Sequence, residues 1–307
     1  MHSSEIRYFL AVANSGSLSA ASQQLFVAVS AISRQIQRLE ARVGAPLFER
    51  HARGMVLNDA GQIFENHVRK SMMDMEHAIA EIKGLKAIRR TALRVACTDG
   101  MAFSLLPVLF TQFRLLHPGV SFHLTVGSAL EVAEIMRRGE CDVAFQFSLY
   151  PERGVEVVAA WPAPVLLVMR QDHPLAQQQV QLSDLNAYPL ALPDAGTTVR
   201  QLFDLSCRMS GTFVEPALTC NNFSTLYTFL LQTPAAITIC SQFTVMYQAV
   251  EHGLVLKSVG ADQLSQRSLQ VQTAIGRKPG PALSLFLEFV RQELKQKDDS
   301  IRAIFAF

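Results

Sequence analysis

Hydroxyl, amide and guanidinium groups recur along one side of residues 29–43. Apolar residues recur in the same segment at steps of four, three and four, which predicts a helix with one buried face. These apolar residues are Ile32, Ile36, Leu39 and Val43. The opposite face carries four polar residues flanked by two arginines: Ser30, Ser33, Arg34, Gln37, Arg38 and Arg42. Such side chains form hydrogen bonds with base edges and phosphates in a DNA major groove. We interpret this face as a DNA-reading surface, with an ordinary solvated face as the alternative.

A second set of residues follows predicted strands in the C-terminal two-thirds of the chain. In open α/β sheets, ligands bind beyond the carboxyl ends of the strands, where helix N-termini present backbone N–H groups. The residues at these positions are Thr98, Asp99, Gly100, Ser128, Phe145, Gln146, Thr197, Thr198, Asn222 and Phe223. We expect them to line a pocket for a small molecule. Helix caps or turns are the alternative for the hydroxyls, and core packing is the alternative for the two phenylalanines.

The motifs of common enzyme sites are missing from the sequence. It contains no Gly-x-Gly-x-x-Gly, no P-loop, no Gly-x-Ser-x-Gly and no His-Glu-x-x-His. The eight histidines are scattered, and the five cysteines lack the spacing of zinc ligands. We expect no catalytic residues, no metal and no cofactor. The cysteines are interpreted as buried thiols, and a redox pair of Cys207 and Cys220 is the alternative.

Charge divides the chain into a basic N-terminal part and a slightly acidic remainder. Residues 1–90 hold twelve Lys and Arg against eight Asp and Glu, a net charge of +4, and the remainder carries −2. A basic end suggests contact with a polyanion. No apolar run approaches the roughly 20 residues of a membrane span, and the first residues do not resemble a signal peptide. We therefore expect a soluble protein of the cytoplasm.

Three short helices are predicted to position the polar face. The spacing of Ile6, Phe9 and Ala13 predicts the first helix, which ends at Gly16. Ser17 is a suitable N-cap for the second, over about residues 18–25. The third helix, residues 29–43, ends at Gly44.

The residues of these helices form a recognisable pattern. The matching strings are Phe9-Leu10-Ala11-Val12-Ala13, Gly16-Ser17-Leu18-Ser19-Ala20-Ala21, Ile32-Ser33-Arg34-Gln35-Ile36, Leu39-Glu40, Gly44, Leu47-Phe48-Glu49-Arg50 and Ala60-Gly61. Over residues 5–65 they resemble the winged helix-turn-helix of LysR-type transcriptional regulators. The resemblance implies that the third helix enters the major groove of double-stranded DNA. It also implies a wing that contacts the DNA backbone through Arg50 and Arg53.

The chain departs from this family at Ala28 and Val29, where relatives usually have Ser-Gln. Ala28 lacks a hydroxyl for N-capping, and Val29 cannot make the bidentate amide contact to adenine that glutamine makes. We expect a changed base preference at that position, with a contact from Val29 to a thymine methyl group as one replacement.

A long helix is predicted from Asp59 to about Lys86, capped by Asn58. It carries apolar residues at steps of four, three, four and three: Val68, Met72, Met75, Ile79 and Ile82. A seam this short can also dock on its own domain. The resemblance implies an antiparallel contact between two subunits, followed by a hinge at Arg89-Arg90-Thr91.

From Ala92 onward strands alternate with helices, which predicts a mainly parallel sheet with helices on both faces. Strands are predicted over residues 142–147 and 213–219, among others. The pattern repeats in a second block before the chain returns, which gives two lobes joined by two crossings. This region resembles the effector domain of the same regulators. The resemblance implies that Thr98, Ser128 and Thr197 hold a small anion, although Asp99 would repel a carboxylate.

The predicted fold class is α/β with an N-terminal all-α winged helix-turn-helix and a two-lobed effector domain like periplasmic binding proteins. We expect DNA binding in residues 1–58, a linker and dimerisation helix with its hinge in 59–90, and effector binding in 91–307. The first lobe is expected to comprise about 91–161 and 267–307, and the second about 162–266.

The predicted function is sequence-specific transcriptional regulation by a protein that is not an enzyme. An organic acid or aromatic metabolite is the expected effector. The resemblance implies a homo-oligomer, either a dimer or a tetramer, and RNA polymerase as a further partner. We expect no contact with a membrane. The competing interpretation is a small-molecule binding protein or enzyme whose helical N-terminal part serves only dimerisation.

Overall fold

The computed structural model describes residues 3–51, 54–84, 91–150, 154–276 and 278–305. The chain divides into two compact units, residues 1–82 and 83–307. Two earlier predictions, the wing residue Arg53 and the hinge at Arg89 and Arg90, lie outside the described residues.

The first unit contains three short helices, a two-stranded antiparallel wing and a long helix. These elements are α1 (Ser4–Ser15), α2 (Leu18–Leu25), α3 (Val29–Val43), β1 (Phe48–His51), β2 (Gly54–Leu57) and α4 (Asp59–Gly84). The predicted caps are present: the side chain of Ser17 accepts a hydrogen bond from the Ala20 N–H, and Asn58 Oδ1 accepts one from the Gly61 N–H at 2.8 Å. Gly16 ends α1 with a φ of 66°, a left-handed conformation that glycine adopts without strain.

The core of the first unit lies where α1, α3 and the wing meet. Ile32, Ile36 and Leu39 are buried there, and the rings of Phe9 and Phe48 lie 5.3 Å apart. The prediction that Val43 shares this buried stripe is wrong, because its side chain is 41% exposed. Val43 lies in the last turn of α3, beyond the side chains that pack into this core.

Most of the described seam of α4 is not buried within this chain. Val68 is buried, Met72 is half-buried, and Met75 and Ile79 are exposed. The side chain of Ile82 lies outside the described residues. Part of the predicted seam therefore remains open to a partner.

The second unit contains two five-stranded sheets with helices packed on them. The strands are β3 (Thr91–Thr98), β4 (Val120–Gly127), β5 (Val143–Ser148), β6 (Val155–Pro162), β7 (Leu166–Arg170), β8 (Leu190–Pro193), β9 (Leu218–Cys220), β10 (Ile237–Cys240), β11 (Leu254–Lys257) and β12 (Ser268–Ala274). The α-helices are α5 (Asp99–Ala102), α6 (Leu105–Leu116), α7 (Ala129–Arg137), α8 (Thr198–Met209), α9 (Phe223–Gln232), α10 (Gln242–Val245), α11 (Gln248–Glu251) and α12 (Pro281–Phe305). Short 3₁₀ helices cover Leu182–Ala187 and Asp262–Ser265.

Each sheet is mainly parallel with one strand reversed, as the alternation of strands and helices predicts. The first sheet has the order β4-β3-β5-β12-β6, and β12 is antiparallel to both neighbours. The second sheet has the order β11-β7-β10-β8-β9, and β7 is antiparallel to both neighbours. The predicted strand over residues 213–219 is wrong: β9 begins only at Leu218, and Phe213 is 82% exposed.

The chain crosses between the two sheets twice, from β6 to β7 and from β11 to β12. The two crossings run side by side and are joined by backbone hydrogen bonds of 2.8 Å, from Ala163 N to Arg267 O and from Val165 N to Leu264 O. We call these paired crossings the hinge ribbon.

No helix among the described residues combines the length and the apolar character that crossing a membrane requires.

The close approach of α4 to the wing gives a first prediction, on Gly61→Ala. Alanine is the better helix former, yet a Cβ at position 61 would lie 2.0 Å from the carbonyl oxygen of Leu47. A backbone oxygen cannot move aside as a flexible side chain does, so we expect a loss of about 1–3 kcal/mol in the free energy of unfolding of the first unit. Urea unfolding measures this loss. Gly260→Ala is the control, since a Cβ there meets nothing within 4 Å. An equal loss in both variants would contradict the packing explanation.

Candidate nucleic-acid interface and ligand cleft

The solvent-facing side of α3 carries the side chains that the sequence analysis assigned to it. Ser30, Arg34, Gln37 and Arg38 are exposed, and Ser33 is half-buried. Within the described part of the chain, neither Arg34 nor Arg38 forms an ion pair. Their guanidinium donors are therefore available to an external acceptor.

Arg42, in the last turn of α3, is in a different situation. Its Nη1 lies 2.6 Å from the Glu5 carboxylate of α1, so this arginine is engaged within the protein. The arginine side chain is 68% exposed, and ion pairs that water reaches contribute little to stability. It nevertheless separates Arg42 from the two free arginines of the same helix.

The turn before α3 presents an apolar surface that the sequence analysis only partly anticipated. Ala28 is the N-cap and makes no side-chain hydrogen bond, and Val29 is 40% exposed. Phe26, which the analysis missed, is 94% exposed and has a φ of 55°. A left-handed conformation is uncommon for a bulky residue. Its signal in the sequence was an aromatic residue in the turn between two helices.

The wing is held close to the turn between α1 and α2. Met55 N donates to the carbonyl oxygen of Gly16 at 2.8 Å, and a Cβ on Gly54 would lie 2.3 Å from the same oxygen. This close packing fixes the wing against the helices. Arg50, on β1, is exposed.

A cleft of about 600 Å³ lies between the two sheets of the second unit. It is lined by loops that follow the carboxyl ends of strands, as expected for such sheets. Eight of the predicted residues line it: Thr98, Asp99, Gly100, Ser128, Thr197, Thr198, Asn222 and Phe223.

Phe145 and Gln146 do not line the cleft. Phe145 is fully buried in the core of the first sheet, 6.3 Å from the ring of Phe286, and Gln146 is fully buried and donates to Gln272 Oε1 at 2.7 Å. The expectation failed because β5 continues to Ser148, so that positions 145 and 146 lie inside the strand. Phe147, nearer the strand end, lines the cleft instead.

The hydroxyls that were expected to hold an anion differ in their availability. Ser128 forms a capping box with Glu131, and Thr197 Oγ1 accepts from Arg200 N at 3.3 Å and donates to Asp194 O at 2.8 Å. Both serve as helix caps in this structure. The buried Thr98 Oγ1 has no hydrogen-bond partner in the described chain. Thr98 Oγ1 is therefore the one of the three hydroxyl oxygens without any partner among the described residues, whereas Ser128 Oγ accepts from Glu131 N and Thr197 Oγ1 both donates and accepts.

Asp99 connects the two sheets across the cleft. Its Oδ2 accepts a hydrogen bond from Phe223 N at 2.6 Å, and its Oδ1 accepts one from Asn222 Nδ2 at 3.0 Å. Asp99 follows β3 of the first sheet, whereas Asn222 and Phe223 begin α9 on the second. A carboxylate at a helix N-terminus is favourably placed for the free N–H groups and the helix dipole. Asp99 thus stabilises the observed approach of the sheets.

Three charged residues of the cleft wall were missed by the sequence analysis: Glu131, Asp194 and Arg267. Glu131 lines the cleft, and hydrogen bonds from Ser128, chiefly from its backbone N–H, lower the pKa of this carboxyl. Arg267 also lines the cleft and is only 3% exposed. Its one signal in the sequence was a cation directly before the returning strand.

The prediction of buried thiols holds for four of the five cysteines, whereas Cys220 is half-buried. All five are free, and burial raises the pKa of Cys97 to about 12 and that of Cys207 to about 11. Buried thiols with raised pKa values are poor nucleophiles. The described residues contain no cluster of His, Cys, Asp or Glu that could hold a metal ion.

The bridge from Asp99 to α9 gives a second prediction, on Asp99→Ala. Loss of the two hydrogen bonds to a charged acceptor should lower the free energy of unfolding by about 1–3 kcal/mol and speed hydrogen exchange at the Phe223 amide. Asp184→Ala is the control, because Asp184 caps the 3₁₀ helix of the second sheet through Gln181 N at 2.8 Å and leaves the cleft untouched. Unchanged exchange at Phe223 in Asp99→Ala would refute the bridge.

Two family models match the chain. The model described as "Bacterial regulatory helix-turn-helix protein, lysR family" matches residues 3–62, and the model described as "LysR substrate binding domain" matches residues 87–295. Among curated relatives, the chain is 24% identical over 290 residues to the HTH-type transcriptional regulator YvbU of Bacillus subtilis, covering 94% of this chain and 97% of the relative. It is 30% identical over 208 residues to a probable nitrogen assimilation transcriptional activator of Synechocystis, covering 66% and 67%.

Solved structures of the same architecture agree with these matches. A full-length OxyR variant from Pseudomonas aeruginosa aligns with a TM-score of 0.67 at 16% identity, covering 95% of both chains. CbnR in complex with its target DNA aligns with a TM-score of 0.60 at 23% identity, covering 95% of this chain and 99% of CbnR. These likenesses confirm the predicted fold class. The chain belongs to the LysR family of transcriptional regulators, with a DNA-binding helix-turn-helix domain followed by an effector-binding domain.

Proposed function

We propose that this regulator reads its operator through α3 and the wing, and that a small molecule in the cleft changes how it acts there. Residues 1–58 bind DNA, residues 59–90 connect and dimerise, and residues 91–307 bind the effector. The observation that carries the proposal is the exposed face of α3, on which Arg34 and Arg38 have no ion-pair partner in the described chain.

The side chains of this face have separate roles. Ser30, Ser33, Arg34 and Gln37 approach base edges, and Arg34 is suited to the bidentate contact with guanine. Arg38, at the flank of the face, contacts phosphate. Arg50 contacts the backbone from the wing, and Arg53, outside the described residues, stays a predicted second contact there.

The apolar turn before α3 modifies this recognition. Val29 presents carbon atoms where a hydrogen-bonding amide is common in the family, and Phe26 exposes its ring in the same turn. A thymine methyl group is the feature of the major groove that such side chains contact. We propose that thymine is preferred opposite this turn.

Effector binding and oligomer formation complete the proposal. The cleft is lined by apolar side chains, among them Phe223, Leu226 and Ile239, together with the free hydroxyl of Thr98, which suits an organic acid or aromatic metabolite. The exposed Met75 and Ile79 on α4 support contact with a second copy of the chain. Movement of the two sheets about the hinge ribbon would alter the DNA-bound oligomer and its contact with RNA polymerase. The role is regulatory and non-enzymatic.

The base-reading role gives a third prediction, on Arg34→Ala. The operator is first selected from random duplexes with the wild-type chain, and binding is then measured by gel shift. We expect a loss of about 1–3 kcal/mol on the selected site and little change on random DNA, because a base contact carries specificity. Arg42→Ala is the control, since its guanidinium already pairs with Glu5. If the wild-type chain enriches no sequence from the random duplexes, the proposal that α3 reads DNA is wrong. That result would favour the alternative in which the helical N-terminal part serves only dimerisation.

The phosphate role of the wing gives a fourth prediction, on Arg50→Ala. Loss of one phosphate contact should weaken binding to selected and random DNA alike and reduce the slope of log K against log salt by about one unit. Titrations between 50 and 200 mM salt, roughly the range in which such slopes are resolved, measure the change. A loss confined to the selected site would assign Arg50 to a base instead.

A further inference from the structure

Arg267 is a buried cation at the hinge ribbon, and its side chain points into the cleft. Its backbone carbonyl accepts the hydrogen bond from Ala163 N, and its Nε donates to Ala163 O at 3.0 Å. The guanidinium carbon lies 4.2 Å from the centre of the Phe147 ring on the first sheet. Its Nη1 lies 3.5 Å from Thr198 Oγ1, at the start of helix α8 on the side of the second sheet. One side chain therefore touches the hinge ribbon and both walls of the cleft.

The charge of Arg267 is incompletely compensated. It forms no ion pair within the described part of the chain, and its Nη2 is buried without a hydrogen-bond partner. Burial lowers the pKa of Arg267 to about 9, which leaves the group protonated at neutral pH. A buried cation that lacks a counter-ion reduces the stability of the folded state. An anion at Nη2 would restore that stability.

Two further groups that favour an anion line the same cleft. Thr98 Oγ1 is the second buried polar atom of the cleft lining that lacks a partner. The N-terminus of the twelve-residue helix α8 begins at Thr198 beside Arg267, and its dipole favours negative charge. A guanidinium donor, a hydroxyl donor and a helix N-terminus are the elements of an oxyanion site.

The remainder of the wall limits the ligand to one anionic group. Asp99, Glu131 and Asp194 also line the cleft, and all are carboxylates. A second negative charge on the ligand would meet these groups. The apolar part of the wall, including Phe223, Leu226 and Ile239, accommodates a carbon skeleton.

We propose that Arg267 is the anion-binding residue of this cleft and that the effector is a monoanionic organic acid, whose carboxylate binds Arg267 Nη2 and Thr98 Oγ1. The proposal rests on the effector cleft of the proposed function, and it names the chemical class of the ligand and the residue that binds its charge. It also makes Arg267 the link between ligand charge and the hinge ribbon.

The first test is the stability of the unliganded full-length chain with a neutral side chain at position 267. If Arg267 is maintained for a ligand, Arg267→Met should raise the midpoint of thermal unfolding in chloride buffer by roughly 2–4 °C, since an unbranched neutral side chain removes an uncompensated charge. Arg208→Met, an exposed arginine on α8 outside the cleft lining, is the control and should change the midpoint little. A fall of more than about 4 °C in Arg267→Met would make Arg267 a structural hinge residue and overturn the proposal.

The second test uses sodium acetate, benzoate and sulfate, with chloride at the same ionic strength and benzamide as the neutral analogue of benzoate. We expect acetate or benzoate to raise the wild-type midpoint saturably, by about 3–5 °C per tenfold excess above its Kd. Benzamide should give no rise. Sulfate also stabilises proteins non-specifically, and that part should be equal in wild type and Arg267→Met. Arg267→Lys, which keeps the charge without the planar fork, should keep a reduced response.

The outcomes are distinct. A carboxylate response that is lost in Arg267→Met and kept in Arg208→Met supports the proposal. Equal responses in wild type and Arg267→Met, or no carboxylate response above chloride in the wild type, overturn it. Because neither measurement contains DNA, a failure of operator selection counts against the proposed function alone and leaves the result at Arg267 intact.

Discussion

Polar groups that leave water have to find partners, and in the second unit several of those partners lie across the cleft. The Asp99 carboxylate of the first sheet accepts the N–H of Phe223 on the second, and the Arg267 guanidinium reaches Thr198, at the start of α8, from the hinge ribbon. These contacts are directional, so they define one relative position of the sheets more sharply than apolar area alone. A molecule that enters the cleft competes for the same donors and acceptors. The cleft is therefore sensitive to the charge and hydrogen-bonding pattern of what it binds.

The position of Arg267 depends in turn on the register of the strand that follows it. Gln146 Nε2 on β5 donates to Gln272 Oε1 on β12 at 2.7 Å, and Gln272 Nε2 donates to Gln270 Oε1 at 2.8 Å. These amides are buried, and a shift of β12 by one residue would place them on the opposite face and leave them unpaired. The amide row thus fixes β12 against β5. Arg267 directly precedes β12, so the same row places its guanidinium in the cleft.

Local features of the sequence were sufficient for much of this structure. Helix α3 follows from 3.6-residue periodicity, and the caps of its neighbours, Ser17 of α2 and Asn58 of α4, follow from side-chain chemistry. Both act within a few residues. The loops at Thr98, Ser128 and Thr197 follow from the position of strand ends. Tertiary context decided the rest. Whether Phe145 and Gln146 reach the cleft depends on where β5 ends. The exposure of Val43 depends on how far the core extends along α3. The role of Arg267 depends on its burial without a counter-ion in the described chain, which only the folded structure shows.

The hinge ribbon determines which movements are open to the second unit. Its two segments are tied by the hydrogen bonds from Ala163 N to Arg267 O and from Val165 N to Leu264 O. Sliding one segment along the other would break both bonds, whereas flexing the pair together preserves them. A tilt of one sheet against the other across the ribbon is therefore compatible with both hydrogen bonds. A ligand in the cleft would then act on the angle between the sheets rather than on the pairing of the two crossing segments.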